Sequence, residues 1–208
     1  MRTKNDPFRA DELHRAGLQA YGEGRLEEGI RLLQRSVGLD PSNGEAWSNL
    51  GVLLREAGRA GEAERALRRS CSLAPHRAAG WNALGAVLLD RGDAAQAERA
   101  ARRAVQLDPT LPPARINLAL SLMLQDDLDG ALESAQHAAR LDPASAAAWD
   151  TLGCALRAIG CVEDALDAFA AAIHANPGLE SAWSNLLFTI PCCDSLAPDE
   201  LLRKASLW

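Results

Sequence analysis

Large rings are scarce in this sequence: five Trp, three Phe and one Tyr make up 4% of its 208 residues. Ala, Leu and Val must then fill the interior, which suits thin layers of closely spaced helices better than a thick sandwich core. No apolar run approaches the length that spans a bilayer, and the opening MRTKNDPFRADELHRAG lacks the apolar centre of a secretory signal. Membrane insertion is not expected, and the cytoplasm is the expected compartment. Basic residues are outnumbered 22 to 28, for a net charge of -6 and a pI near 5.3, so nothing general attracts DNA, RNA or an anionic membrane. Nucleic acid is not an expected partner. Cysteine is sparse as well. Cys71, Cys154, Cys161, Cys192 and Cys193 are odd in number, form no Cys-x-x-Cys and have no histidine at zinc-site spacing, which fits a reducing compartment. The adjacent Cys192 and Cys193 read as small residues in a turn. A Gly-rich phosphate loop and a His-Glu-x-x-His motif are both missing, and His14, His76, His137 and His174 are spread along the chain. No catalytic residue, metal or cofactor is expected.

What is present is a chain 48% apolar and 24% charged, too hydrophobic for disorder. Pro7, Pro41, Pro75, Pro109, Pro143 and Pro177 stand 34 residues apart, a period that unrelated loops would not produce. Trp47, Trp81, Trp149 and Trp183 keep the same phase, with Leu13 and Arg115 in the two remaining slots. Three residues on come Leu50, Leu84, Leu118, Leu152 and Leu186, each followed by a small residue except at Leu187. Ala63, Ala97, Ala131 and Ala165 share a later slot with Gly29, and Leu33, Leu67, Ala101, Ala135 and Phe169 lie four residues beyond it.

These spacings predict two antiparallel helices per period. Trp47, Leu50 and Leu54 are three and four residues apart and so line one face of a helix, which must be buried. The small residue beside each Leu allows the second helix of the period to approach closely. Gly24, Gly58, Gly92 and Gly160 stand where the first helix ends and a left-handed residue is needed, with Asp126 in the fourth such place. The second helix runs to Leu-Asp-Pro or its equivalent, where the residue before Pro leaves helical geometry.

The pattern W-x-x-L-G, the Ala slot, the closing Pro and the 34-residue period resemble tetratricopeptide repeats. The resemblance implies an all-α fold, a right-handed α-solenoid of antiparallel helix pairs with a concave and a convex surface, in which no single repeat would fold alone. Residues 1–9 are expected as a lead-in. Residues 10–190 form the array, with complete repeats starting at 10, 44, 78, 112 and 146 and a partial sixth from 180. Residues 191–208 are expected as a turn and a capping helix, in which Leu201, Leu202 and Ala205 cover the last apolar face. A second resemblance lies in Ser184–Trp208, whose Asn185, Leu186, Leu187, Phe188, Pro198, Asp199, Glu200, Leu201 and Trp208 look like the junction before the catalytic domain in bacterial relatives of O-linked N-acetylglucosamine transferase. Ala205 stands where that junction has His, and no glycosyltransferase domain follows within the sequence.

In tetratricopeptide proteins peptides lie along the concave face, so the first helices are expected to carry the functional surface. Asn49, Asn117 and Asn185 fall two residues after the Trp slot, where amides resemble the ladder that holds a peptide backbone in the transferase family. Asn82, from the slot one residue earlier, is taken with them. Leu89, Met123 and Phe188, with Leu120 and Leu124 nearby, make the expected groove apolar. Ser48, Ile116, Asp150 and Ser184 offer no basic grip for a terminal carboxylate. The expected function is a non-catalytic scaffold that binds a protein or peptide; the alternative is the substrate-recognition part of a transferase-like enzyme. Self-association through terminal repeats is a further expectation. Arg65, Arg68 and Arg69 recur as Arg99, Arg102 and Arg103, and Glu133 and Asp167 appear in later repeats, so this stripe reads as a solvated outer face.

Overall fold

Between one in-phase proline and the next, the chain folds as two helices joined by a tight turn. The structure, a computed structural model, describes residues 6–190. Eleven helices occur among them, with no strand: α1 Pro7–Gly22, α2 Leu26–Leu39, α3 Gly44–Glu56, α4 Ala60–Leu73, α5 Ala78–Asp90, α6 Ala94–Leu107, α7 Pro112–Met123, α8 Leu128–Leu141, α9 Ala146–Ala158, α10 Val162–Ala175 and α11 Glu180–Thr189. The chain divides into two compact units between Pro109 and Thr110, so the first holds α1–α6 and the second α7–α11.

Local chemistry explains the helix ends. Asp6 caps α1 by accepting the Arg9 N–H at 3.1 Å, and Pro7 opens the helix, where a missing N–H leaves no bond unmade. Helix therefore takes in residues 7–9, and the expected lead-in is shorter by those three. Asn43, Asp93, Asp127 and Ser145 cap α3, α6, α8 and α9 in the same manner. The turn and capping helix expected over 191–208 lie outside the described residues.

The turns inside the repeats pass through left-handed geometry at Gly24, Gly58, Gly92 and Gly160, and Asp126 adopts it too, at φ 64°. A side chain there crowds its own carbonyl. A β-carbon at Gly58 would meet nothing within 4 Å, so only the dihedral opposes substitution. We expect Gly58→Ala to cost, and Asp126→Gly to add, about 1 kcal/mol of stability. Urea midpoints of the two variants would check both signs.

Within each unit the two helices of a repeat interlock through residues 16 positions apart. A methyl added to Gly51 would fall 2.4 Å from Leu67 Cγ, and one on Gly153 would fall 2.5 Å from Phe169 Cε1. Leu67 and Phe169 are fully buried. Where the second helix carries Ala, the contact is looser: the nearest atom to such a methyl on Gly85 is the Ala97 carbonyl oxygen at 3.5 Å. In α7 and α8 the corresponding residues are Ala119 and Ala135, both buried. Large residues face glycine and small ones face each other, which keeps the helix pairs close-packed.

A second contact fixes the entrance to each repeat. The indole N–H groups of Trp47, Trp81, Trp149 and Trp183 donate to the carbonyls of Pro41, Pro75, Pro143 and Pro177, at 2.8–3.0 Å. Each proline thus turns the chain and also supplies the acceptor its Trp requires on partial burial. Ser36 and Ser70, buried on α2 and α4, donate to the carbonyls of Ala10 and Gly44 and tie the second helix to the start of the first. Leu33, Leu50, Leu54, Leu67, Leu84 and Val87 form the interior of the first unit. Alanines of α8 and α9, with Leu166, Phe169, Ile173 and Leu186, form that of the second.

Candidate functional site

Leu50, Leu53 and Leu54 turn one side of α3 into the core and leave Ser48, Asn49, Val52, Arg55 and Glu56 on the other. Those five recur at intervals of three and four residues, so they form one stripe. The corresponding stripes belong to α1 and α5 in the first unit and to α7, α9 and α11 in the second. α3 packs on α1 and α5, and α9 packs on α7 and α11, which sets neighbouring stripes side by side within each unit.

Polar side chains join these stripes at sequence separations of 35 and 31. In the first unit the Asn49 amide nitrogen lies 2.8 Å from His14 Nε2, the Tyr21 hydroxyl donates to Glu56 at 2.5 Å, and Arg55 grips Asp90 through two nitrogens, at 2.5 and 3.1 Å. The bond to Glu56 pushes the Tyr21 phenol above its ordinary pKa, since the carboxylate favours the protonated form. In the second unit Asn185 donates to Asp150 at 2.9 Å and to the Cys154 sulfur at 3.4 Å, while the Ser181 hydroxyl takes the other Asp150 oxygen at 2.7 Å. Burial, reinforced by Asp150, pushes the Cys154 thiol up to about 11, so at neutral pH it is an uncharged wall. Cys71, buried in α4, is likewise raised to about 11 by desolvation.

The expected groove residues divide between the units. Asn49, Asn82 and Leu89 belong to the first, where Leu89 is half-buried against the core. Asn117, Met123, Asn185 and Phe188 belong to the second; Met123 is half-buried, and Phe188 is 75% exposed. Asn82 and Asn117 are half-buried on α5 and α7. Asn49 and Asn185 use their amide nitrogens to tie one first helix to the next, a structural duty beyond the one their spacing suggested. Sequence reasoning passed over Arg55, Glu56 and Asp90, which with the groove position Val52 line a hollow of about 300 Å³ on the first unit. Their signal was an opposite-charge pair, Arg55 and Asp90, offset by one residue more than the repeat. Among the described residues no three His, Cys, Asp or Glu side chains gather as a metal would require, and no helix is long and apolar enough to cross a membrane.

Comparison with protein families decides the class of this helix-pair array. A tetratricopeptide repeat model matches residues 14–78 and again 116–180, and a second tetratricopeptide repeat model matches 78–121. The chain belongs to the tetratricopeptide repeat family. No curated protein matches it. Among solved structures, the tetratricopeptide protein TTC0263 of Thermus thermophilus is 20% identical, over 88% of this chain and 99% of its own, with a TM-score of 0.72. YrrB, a tetratricopeptide protein with an unusual peptide-binding site, is 22% identical over 83% of this chain and 89% of its own, with a TM-score of 0.64. A chain of the APC/C hetero-tetramer Cut9–Hcn1 is 19% identical over 95% of this chain and 39% of its own, with a TM-score of 0.82. At these identities the likeness establishes the fold, an all-α tetratricopeptide solenoid. Of the stretch expected to resemble the transferase junction, Asn185–Phe188 lie in α11, and residues 191–208 are outside the described part.

Proposed function

We propose that this tetratricopeptide protein is a non-catalytic scaffold that holds an apolar segment of a partner protein against its first-helix face. The observation that carries the reading is the exposure of large apolar side chains on well-formed helices there, Phe188 at 75% on α11 and Leu124 at 62% at the end of α7. Large apolar side chains left facing water on a folded surface mark interaction sites. Met123 and the uncharged Cys154 extend the apolar ground. The Asp150 carboxylate can only accept, which fixes Asn185 with its nitrogen inward and leaves its Oδ1 to accept an N–H from a bound backbone. Asn117 is proposed to act beside it, and Asn49, Asn82 and Leu89 on the first unit. YrrB, with its peptide-binding site, supports such a role by analogy of fold.

The test is a photo-crosslinking residue placed at position 188, with the exposed position 133 of α8 as the reference. A protein captured at 188 and not at 133 is the expected result, and Leu124→Ser should weaken its binding by about tenfold or more while leaving the helical spectrum unchanged. Equal capture at the two positions would sink the proposal. The role of recognition arm for a transferase-like enzyme is supported by Asn185–Phe188 and the sequence that follows. It would be tested by asking whether the reading frame continues from Trp208 into a catalytic domain. Self-association is supported by Leu187 and Trp183, exposed on α11, and a concentration series in light scattering would test it.

A further inference from the structure

Away from the first-helix face, the first unit carries a cleft of about 530 Å³ between α2, α3 and α4. Its floor is apolar: Val37 from α2, Leu50 and Leu54 from α3, Ala66 from α4, and the half-buried Trp47 indole, held in place by its bond to the Pro41 carbonyl. Along one rim stand Arg65 and Arg69, one helical turn apart on α4 and exposed.

The other charges of α4 are already engaged. Glu62 is gripped by Arg59 through two nitrogens, at 2.9 and 2.8 Å, and reaches Arg65 only at longer range. Arg68 donates to Glu64 and Gln96, and Arg91 also pairs with Glu64. Among the described residues, the guanidinium groups of Arg65 and Arg69 make neither an ion pair nor a hydrogen bond. Two unengaged bidentate donors therefore border an apolar hollow.

The same hollow occurs in the second unit, 102 residues later, lined by Gln136, Ala139, Arg140, Pro143, Trp149 and Leu152, with a volume of about 540 Å³. Gln136, Ala139, Trp149 and Leu152 correspond to Gln34, Val37, Trp47 and Leu50. The rim does not correspond: α10 places Asp167 and Ala171 in the slots of Arg65 and Arg69. The repeat geometry makes the hollow, and α4 alone of the two gives it a paired positive edge.

We infer that the α2–α3–α4 cleft is a docking site for an acidic amphipathic helix of a partner protein, seated by apolar side chains over Trp47 and paired through two carboxylates with Arg65 and Arg69. Residues one turn apart on a partner helix are spaced like Arg65 and Arg69 on α4, so two such carboxylates meet both guanidinium groups at once. The apolar floor selects a peptide over a nucleic-acid backbone, which would need a longer basic track.

The probe is a fluorescein-labelled helical peptide with Leu on one face and Glu pairs at i and i+4, followed by fluorescence anisotropy at low and physiological salt. The double variant Arg65→Asp/Arg69→Ala gives α4 the residues that α10 already carries in these slots, and Arg65→Gln/Arg69→Gln is a second, milder form. Either should weaken binding by about tenfold or more, with the melting temperature held. A peptide with Lys for Glu should not bind, and one with Ser for Leu should bind weakly. Leu124→Ser, which belongs to the first-helix face, should leave this affinity unchanged, so failure here and failure of the proposed function are separate results. Equal affinity in wild type and both double variants, equal binding of the Lys peptide, or displacement of the probe by a dT12 oligonucleotide would overturn the inference.

Discussion

Phe169→Ala is expected to lower stability by about 3–5 kcal/mol, because a fully buried ring leaves a cavity that the thin helical layer can close only in part. The informative result comes from adding Gly153→Ala. In the native protein that second change forces a methyl to within 2.5 Å of the ring and should cost about 1–3 kcal/mol by overpacking. With the ring removed the clash is gone, the methyl fills part of the void, and the helix gains about 1 kcal/mol from replacing Gly by Ala. Gly153→Ala should therefore destabilise the native chain and stabilise the Phe169→Ala chain. The double variant would carry the Ala–Ala pair that α7 and α8 already have at Ala119 and Ala135. Urea denaturation of the four proteins gives the coupling, and a Gly153→Ala effect of one sign in both backgrounds would rule this packing out.

The first unit offers the same comparison between two glycines that share one slot. Gly51→Ala is expected to cost about 1–3 kcal/mol, since its methyl would lie 2.4 Å from Leu67 Cγ and 2.8 Å from Cδ2. Gly85→Ala meets only ordinary contacts at 3.5–3.8 Å and should be neutral or add up to about 1 kcal/mol through helix propensity. Thermal melts followed by circular dichroism would show the pair moving in opposite directions. Similar losses at both positions would mean that α5 and α6 approach as tightly as α3 and α4.

This interlock was largely readable in the sequence. Periodic Trp, Leu, Gly and Pro place the helices and assign each small residue its facing slot on the second helix, because those slots repeat at the period of the fold itself. The ladder across the first helices was not readable in that way. His14 meets Asn49, Tyr21 meets Glu56 and Asp150 meets Asn185, each one residue off the 34-residue register. Comparing equivalent slots sees Asn49, Asn117 and Asn185 as a row and misses that His14 and Asp150, which meet Asn49 and Asn185, sit in the slot one residue earlier. Exposure at the end of the described array is also a matter of neighbours. Trp183 lies in the same slot as half-buried Trp47, Trp81 and Trp149, yet it is exposed on α11, the last described helix. The α4 rim was visible as a stripe of arginines; what the pattern hid was that Arg68 is taken and that Arg65 and Arg69 are not.

The off-register ladder gives the array a word order. Packing alone would let the second and third repeats exchange places, since both carry the same Trp, Leu and Gly in the same slots. Transposing the second and third repeats would part Arg55 from Asp90 and set Leu89 beside the Glu56 carboxylate. In a chain built from near-interchangeable parts, these few polar pairs tell each part which neighbour comes next.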